Sequence, residues 1–182
     1  KYEKDTFIDF KVILQKQKEL EELFNNDKSN YENNQNLLLV SIYSLIPPNR
    51  NEISKLKFTD NLNNLYHDID YIYIKDDEVK FILNIEKKKH GDITIDINEN
   101  SPHLASIIKE SFILFPRDYI ITPFNNKNMS IGYGSIYNRF RDIFNYTDKK
   151  ISINSFRSSY LTNINNNKNF FENDNWIIAQ MY

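Results

Sequence analysis

Two arginines and a run of three lysines are the side chains of this sequence best suited to handling a charged substrate. Arg50 follows the apolar stretch Leu37 to Leu45 and the pair Pro47-Pro48, within Ser44-Leu45-Ile46-Pro47-Pro48-Asn49-Arg50-Asn51-Glu52-Ile53-Ser54-Lys55-Leu56. Arg157 lies in Ile151-Ser152-Ile153-Asn154-Ser155-Phe156-Arg157-Ser158-Ser159-Tyr160-Leu161-Thr162. Between them, an apolar run from Phe81 to Ile85 leads into Lys87-Lys88-Lys89-His90-Gly91. A guanidinium is planar, permanently charged and forked, so it can hold two oxygens of one phosphate at once. Each group also has a plainer reading. Arg50 can act as a solvated cation at a helix C-terminus, the lysines as a charged turn that keeps a sheet edge from aggregating, and Arg157 as the polar side of a helix whose apolar positions are Phe156, Tyr160 and Leu161.

Composition narrows the chemistry. At 182 residues, 21.8 kDa and 40% hydrophobic content, the chain is long enough for one domain with a buried core. It contains no cysteine, and its three histidines, His67, His90 and His103, are scattered. A disulfide framework and a thiolate metal site are therefore excluded, zinc spacing is missing, and neither a metal nor a small-molecule cofactor is expected. No stretch reaches the roughly 18 apolar residues of a membrane span, and Lys1-Tyr2-Glu3-Lys4-Asp5 lacks a signal core, so an intracellular protein without a membrane partner is expected. The formal net charge of -2 is unusual for a phosphate binder. Its distribution matters more: acids crowd the N-terminal helix and Asp68 to Glu78, whereas Lys87 to Lys89 and the run from Arg139 to Lys150 are locally basic.

The elements that would position these groups follow from periodicity. Phe7, Phe10, Ile13, Leu14, Leu20 and Leu23 recur at helical spacing, predicting an amphipathic helix from Thr6 to Phe24 with Asp5 at its cap. Asn25 to Asn36 reads as a loop, Leu37 to Leu45 as a buried helix ended by the prolines, Glu52 to Leu56 as a helical turn and Phe58 to Asp68 as another loop. Tyr71 to Ile74, Val79 to Ile85 and Thr94 to Ile97 are β-branched or aromatic runs that predict three antiparallel strands. Helices are expected from Ser101 to Phe112, Ser135 to Phe144, Asn154 to Ile164 and Asp174 to Tyr182, with an extended piece at Tyr119 to Thr122. The expected class is α+β, a mainly helical domain with a small three-stranded antiparallel sheet. An N-terminal helix and Asn-rich loop, 1–36, would lead into a core at 37–182.

Taken together, an arginine closing an early helix, a lysine-bearing hairpin and a second arginine in a late helix resemble the catalytic domain of the tyrosine recombinases, the phage-integrase family. The order of motifs and the Asn-rich composition are most similar to the divergent integrase-like proteins of large DNA viruses. The resemblance implies DNA strand breakage and rejoining through a phosphotyrosyl intermediate, without a metal. It assigns Arg50 and Arg157 to the scissile phosphate and Lys87 to protonation of the leaving 5′ hydroxyl, with Lys88 and Lys89 within register error and on the DNA. Asn154 and Ser158 would also contact DNA. The chain departs from the family pattern in four places. Pro47-Pro48 stand where the family has a small residue and glycine. Glu52 follows Arg50 by two residues, where many members have an acid at three. Asn154 occupies the position of a histidine and can donate a hydrogen bond but cannot shuttle a proton near neutral pH. Beyond Arg157, Trp176 to Tyr182 resembles the helix that precedes the family's late histidine and nucleophilic tyrosine. Tyr182, 25 residues after Arg157 (182 − 157 = 25), stands too close to be that nucleophile, so the expectation is a domain truncated before its last catalytic elements and inactive alone.

The implied partner is duplex DNA, with self-association on it, and the implied location is the nucleus or a viral replication site. Arg50 and Arg157 are expected side by side in a solvent-open basic cleft, beneath a hairpin tip carrying Lys87. Two other readings stand beside this one: a DNA-binding module that kept the fold without the chemistry, and an unrelated α+β interaction domain.

Overall fold

A computed structural model of the chain describes residues 6–48, 53–63, 65–66, 68–83 and 93–166. Helix α1 (Phe10–Asn26) starts where Asp9 accepts the Lys11 N–H at 2.8 Å. That carboxylate satisfies one of the orphan donors of the first turn. Ile8 and Ile13, on either side of this cap, are both in the core. The expected Asp5 cap lies outside the described residues.

Helix α2 (Tyr31–Ser44) is the central element, and every position from Leu37 to Ser44 is buried. It begins six residues before the expected Leu37, so part of the expected 25–36 loop is helix and α2 runs straight across position 36. Asn30 caps it by accepting the Asn33 N–H at 3.0 Å. Two amides of its polar first turns, Asn34 and Gln35, are buried and find partners, although the Asn34 Nδ2 has none. Gln35 donates to the Ile120 carbonyl and accepts the Thr122 N–H at 2.8 Å, and Asn34 accepts from the Ser111 hydroxyl at 2.7 Å. Burial of an amide costs little once its hydrogen bonds are met.

The sheet corrects the expected three antiparallel strands: it has four strands and is mixed, in the order β1 (Lys57–Thr59), β2 (Tyr71–Lys75), β3 (Glu78–Leu83), β4 (Ile93–Asp96). Strands β2 to β4 are antiparallel as expected, whereas β1 adds in parallel to β2, pairing Phe58 with Ile72. Three residues are too few for an alternation pattern to register, which is why Lys57–Thr59 reads as loop in the sequence. The chain at Asp118–Ile120 continues the edge: Phe58 N–H donates to the Asp118 carbonyl and Ile120 N–H to that of Leu56. Between β2 and β3 only Asp76 and Asp77 intervene, with Asp76 left-handed at φ 52°. Aspartate tolerates that conformation better than most side chains. Asn98 braces the turn, accepting the Val79 N–H and donating to the Asp77 carbonyl.

Helix α3 (Ile97–Asn100), short and capped by Asp96, takes the place of the end of the expected third strand. Ser101 then caps α4 (Pro102–Leu114), with proline in the first turn as expected. Helices α5 (Tyr133–Ile143) and α6 (Ile153–Asn166) follow, close to the expected 135–144 and 154–164. Helix α6 packs on α1 and α2. The Phe10 and Tyr160 rings meet edge-on at 5.4 Å, and the Ser159 hydroxyl donates to the Ile8 carbonyl. The helix expected at Asp174 to Tyr182 lies outside the described residues. Among the described residues, no helix is long and apolar enough to cross a membrane.

The α+β class thus holds, with helices forming the main body and the mixed sheet joined to it through α3, α4 and the Asp118–Ile120 segment. If Gln35 fastens α2 to that segment, Gln35→Ala, which orphans a buried carbonyl and a buried N–H, is expected to cost roughly 2–3 kcal/mol. Urea unfolding should show a lower midpoint with unchanged slope, while Gln15→Ala on the exposed face of α1 changes stability by less than about 0.5 kcal/mol.

Candidate functional site

Of the residues singled out in the sequence, the structure describes those on α6. Residues Arg50, Lys87, Lys88, Lys89 and Tyr182 lie outside the described residues, as does Glu52. What can be placed is the framework that leads to them. The last turn of α2, six residues before Arg50, packs on the first turns of α6, which carry Arg157. The Tyr43 ring lies 6.0 Å from that of Phe156, the residue next to Arg157. Phe140 and Phe144 of the α5 region complete the cluster, at 4.8 and 5.8 Å from Phe156. Ile46 and Pro48 stay buried beyond the helix end. The end of α2 and the first turns of α6 therefore share one aromatic core. Leu83 and Ile93 pair across β3 and β4, so the sequence 84–92 with its three lysines joins two antiparallel strands.

Arg157 is not on an open surface. It is only 8% exposed, which corrects the expectation of a solvent-open position. The physical reason is the company it keeps: Ser155, Phe156 and Ser159 around it are buried against α1, α2 and α5. Asn154 and Ser158, on the other side of the helix, are exposed. So are Lys149 and Lys150, which immediately precede the helix. Ser152 caps α6, its hydroxyl accepting the Ser155 N–H and its carbonyl the Phe156 N–H. Exposed lysines beside the positive end of a fourteen-residue helix form a favourable setting for an anion.

Two further arginines are buried where none was expected. Arg117, 6% exposed, directs its guanidinium to the carbonyls of Ser111, Phe115 and Ile120 and to the Ser111 hydroxyl, and lies 5.3 Å over the Phe58 ring. Arg139 on α5 donates from Nη2 to the Thr122 carbonyl at 2.9 Å and stacks 4.0 Å from the centre of the Phe124 ring. Burial holds both guanidinium groups down to about 10, so both stay charged at neutral pH. Arg139 opens the locally basic run from Arg139 to Lys150 in the sequence. Its spacing from Ile136 and Ile143, three before and four after, was the available signal that it shares their buried face.

No family model, no curated protein and no solved structure matches this chain. The aromatic cluster that joins α2, α5 and α6 can be tested alone. Phe156→Ala should cost about 3–5 kcal/mol, comparable to the whole stability of a small domain. Phe156→Leu is the usable variant, with an expected loss of about 1 kcal/mol in urea unfolding. Ser158→Ala, on the exposed side, should leave the unfolding midpoint in place.

Proposed function

We propose that this chain binds duplex DNA through its phosphates and serves strand breakage and rejoining of the tyrosine-recombinase type. The observation that carries the reading is the packing of α2 on α6. It ties the segment leading to Arg50 to the helix bearing Arg157, as two arginines sharing one phosphate require. The exposed Lys149, Lys150, Asn154 and Ser158 around the α6 N-terminus support the same reading as contacts to flanking phosphates.

In this mechanism Arg50 and Arg157 hold the non-bridging oxygens of the scissile phosphate and stabilise the charge that builds there. A tyrosine oxygen attacks phosphorus, the bond to the 5′ oxygen breaks, and Lys87 or a neighbouring lysine gives that oxygen its proton. The product is a 3′-phosphotyrosyl link, and attack by a 5′ hydroxyl from a second DNA end reverses the step. Burial of Arg157 suits the role, since a guanidinium in a low-dielectric setting is held in one geometry and acts more strongly on a phosphate than a solvated one. Asn154 can donate to the phosphate, yet it cannot take a proton. That feature favours a second reading, a module that binds DNA without breaking it.

Affinity for a duplex, measured by fluorescence anisotropy, should fall steeply between about 50 and 200 mM salt as condensed counterions are released. Arg50→Ala together with Arg157→Lys, which spares the buried charge, should weaken binding several-fold at low salt. An isotherm unchanged by both substitutions would remove the DNA reading. A nicked suicide duplex run on a denaturing gel tests for strand breakage. A shifted covalent band lost in Arg157→Lys marks a strand-breaking enzyme that carries its own nucleophile, whereas binding with no band fits both the module and a catalytic domain assayed without its nucleophile.

A further inference from the structure

Helix α6 carries Arg157 at the rim of its buried face. Side chains three positions apart stand next to each other on a helix. Half-buried Tyr160, three residues after Arg157, is therefore its neighbour on the inward side, and exposed Asn154, three before, its neighbour on the outward side. By sequence Tyr160 is only an apolar position of α6. The structure gives it a second feature.

Two separate holds fix the buried face of α6. One is the aromatic cluster around Phe156, with Tyr43, Phe140 and Phe144. The other comes from the start of α1 and acts on the two residues that follow Ser158. Phe10, in the core, meets the Tyr160 ring edge-on at 5.4 Å with the ring planes at 78°. The buried Ser159 hydroxyl donates to the Ile8 carbonyl. Asp9, between Ile8 and Phe10, caps α1, so the segment that holds Ser159 and Tyr160 is itself anchored. An edge-on aromatic pair fixes the plane of both rings as well as covering apolar area.

An arginine stem is long and has many rotamers, and whatever freedom it keeps before binding is lost when its fork engages a phosphate. A rigid ring beside the stem removes part of that loss in advance. We propose that Tyr160, braced by Phe10, is a positioning residue for Arg157, its ring forming the wall that holds the guanidinium stem at the angle from which it meets a phosphate. The inference rests on the DNA reading, in which Arg157 holds that phosphate. It adds a residue that acts through Arg157 without touching DNA.

Three variants of the full chain test it. Tyr160→Leu removes the ring and keeps apolar bulk, Phe10→Leu removes the brace, and Tyr160→Phe keeps the ring. Duplex affinity is measured by fluorescence anisotropy at about 50 mM salt, where phosphate contacts weigh most. Tyr160→Leu and Phe10→Leu should each weaken binding about three- to tenfold, while Tyr160→Phe stays within about twofold of the parent. In an Arg157→Lys background Tyr160→Leu should add less than about twofold, because the side chain it positions is gone. A purely structural ring would weaken binding by the same factor in both backgrounds. The second readout needs no DNA. The chain has five arginines, so the Arg157 Nε–H resonance can be identified by its loss in Arg157→Lys. It should be sharp in the parent and in Tyr160→Phe and broadened in Tyr160→Leu and Phe10→Leu. If Arg157→Lys weakens binding but neither leucine variant does, or if the Tyr160→Leu effect is the same in both backgrounds, or if the Nε–H signal is unchanged in both leucine variants, the positioning role is overturned and the DNA reading stands. If Arg157→Lys leaves affinity unchanged, the DNA reading falls and takes this inference with it.

Discussion

A helix with eight consecutive buried residues takes its amides inside with it, and the partners that Asn34 and Gln35 of α2 find there arrange much of the rest of the chain. From Leu37 to Ser44 the helix is entirely inside, so its neighbours are fixed by packing. Before that stretch, Asn34 and Gln35 are inside as well, and they reach out to Ser111, Ile120 and Thr122. The 111–122 segment is in turn tied down by Arg117, whose guanidinium gathers three of its carbonyls. The same segment carries the sheet, because Asp118 and Ile120 hydrogen-bond alongside β1. Helix α2 thereby sets where the sheet edge lies, through the amides of Asn34 and Gln35 and through Tyr31, whose hydroxyl hydrogen-bonds that of Thr122 and whose ring meets Phe115 at 5.1 Å.

At its other end α2 sets the position of α6. Tyr43, Phe140, Phe144 and Phe156 meet as one aromatic group, and aromatic contacts of this kind add to the area they bury. Arg157 is carried inward by this packing. The proposed function has the guanidinium meet a phosphate from that position. Arg117 and Arg139 are buried to a similar degree, with every guanidinium nitrogen of the first hydrogen-bonded and the Nη1 of the second without a partner.

The sequence made the longer helices legible because they show amphipathic spacing, as in α1 and α5, or a continuous apolar run, as in α2, whereas the four-residue α3 is too short to show either. Caps and prolines marked the start of α4 and the end of α2. Three things were hidden. The first turns of α2 read as loop because Tyr31 to Asn36 is polar, and only tertiary hydrogen bonds make its burial favourable. Strand β1 is stabilised by β2 and by Asp118–Ile120, which are remote in sequence, and its own three residues carry no pattern. The third is the burial of arginines: residue type points to the surface, and only position on the helix, between Ile136 and Ile143 for Arg139 or beside Phe156 for Arg157, points inward. Asn154 and Ser158 lie on the exposed side of α6, in keeping with the spacing that made Phe156 and Tyr160 its apolar positions.

Convergence of the Arg50 and Arg157 segments is the central claim, and a distance between them tests it most directly. The chain has no cysteine, so Asn49→Cys with Ser158→Cys gives two unique attachment points beside the arginines while leaving both arginines in place. Nitroxide labels at these positions, measured by double electron–electron resonance, should give a narrow distribution below about 20 Å, half the diameter of roughly 40 Å expected for a domain of this length. A distribution centred near that full diameter would place the two arginines on opposite sides of the domain and contradict a shared phosphate.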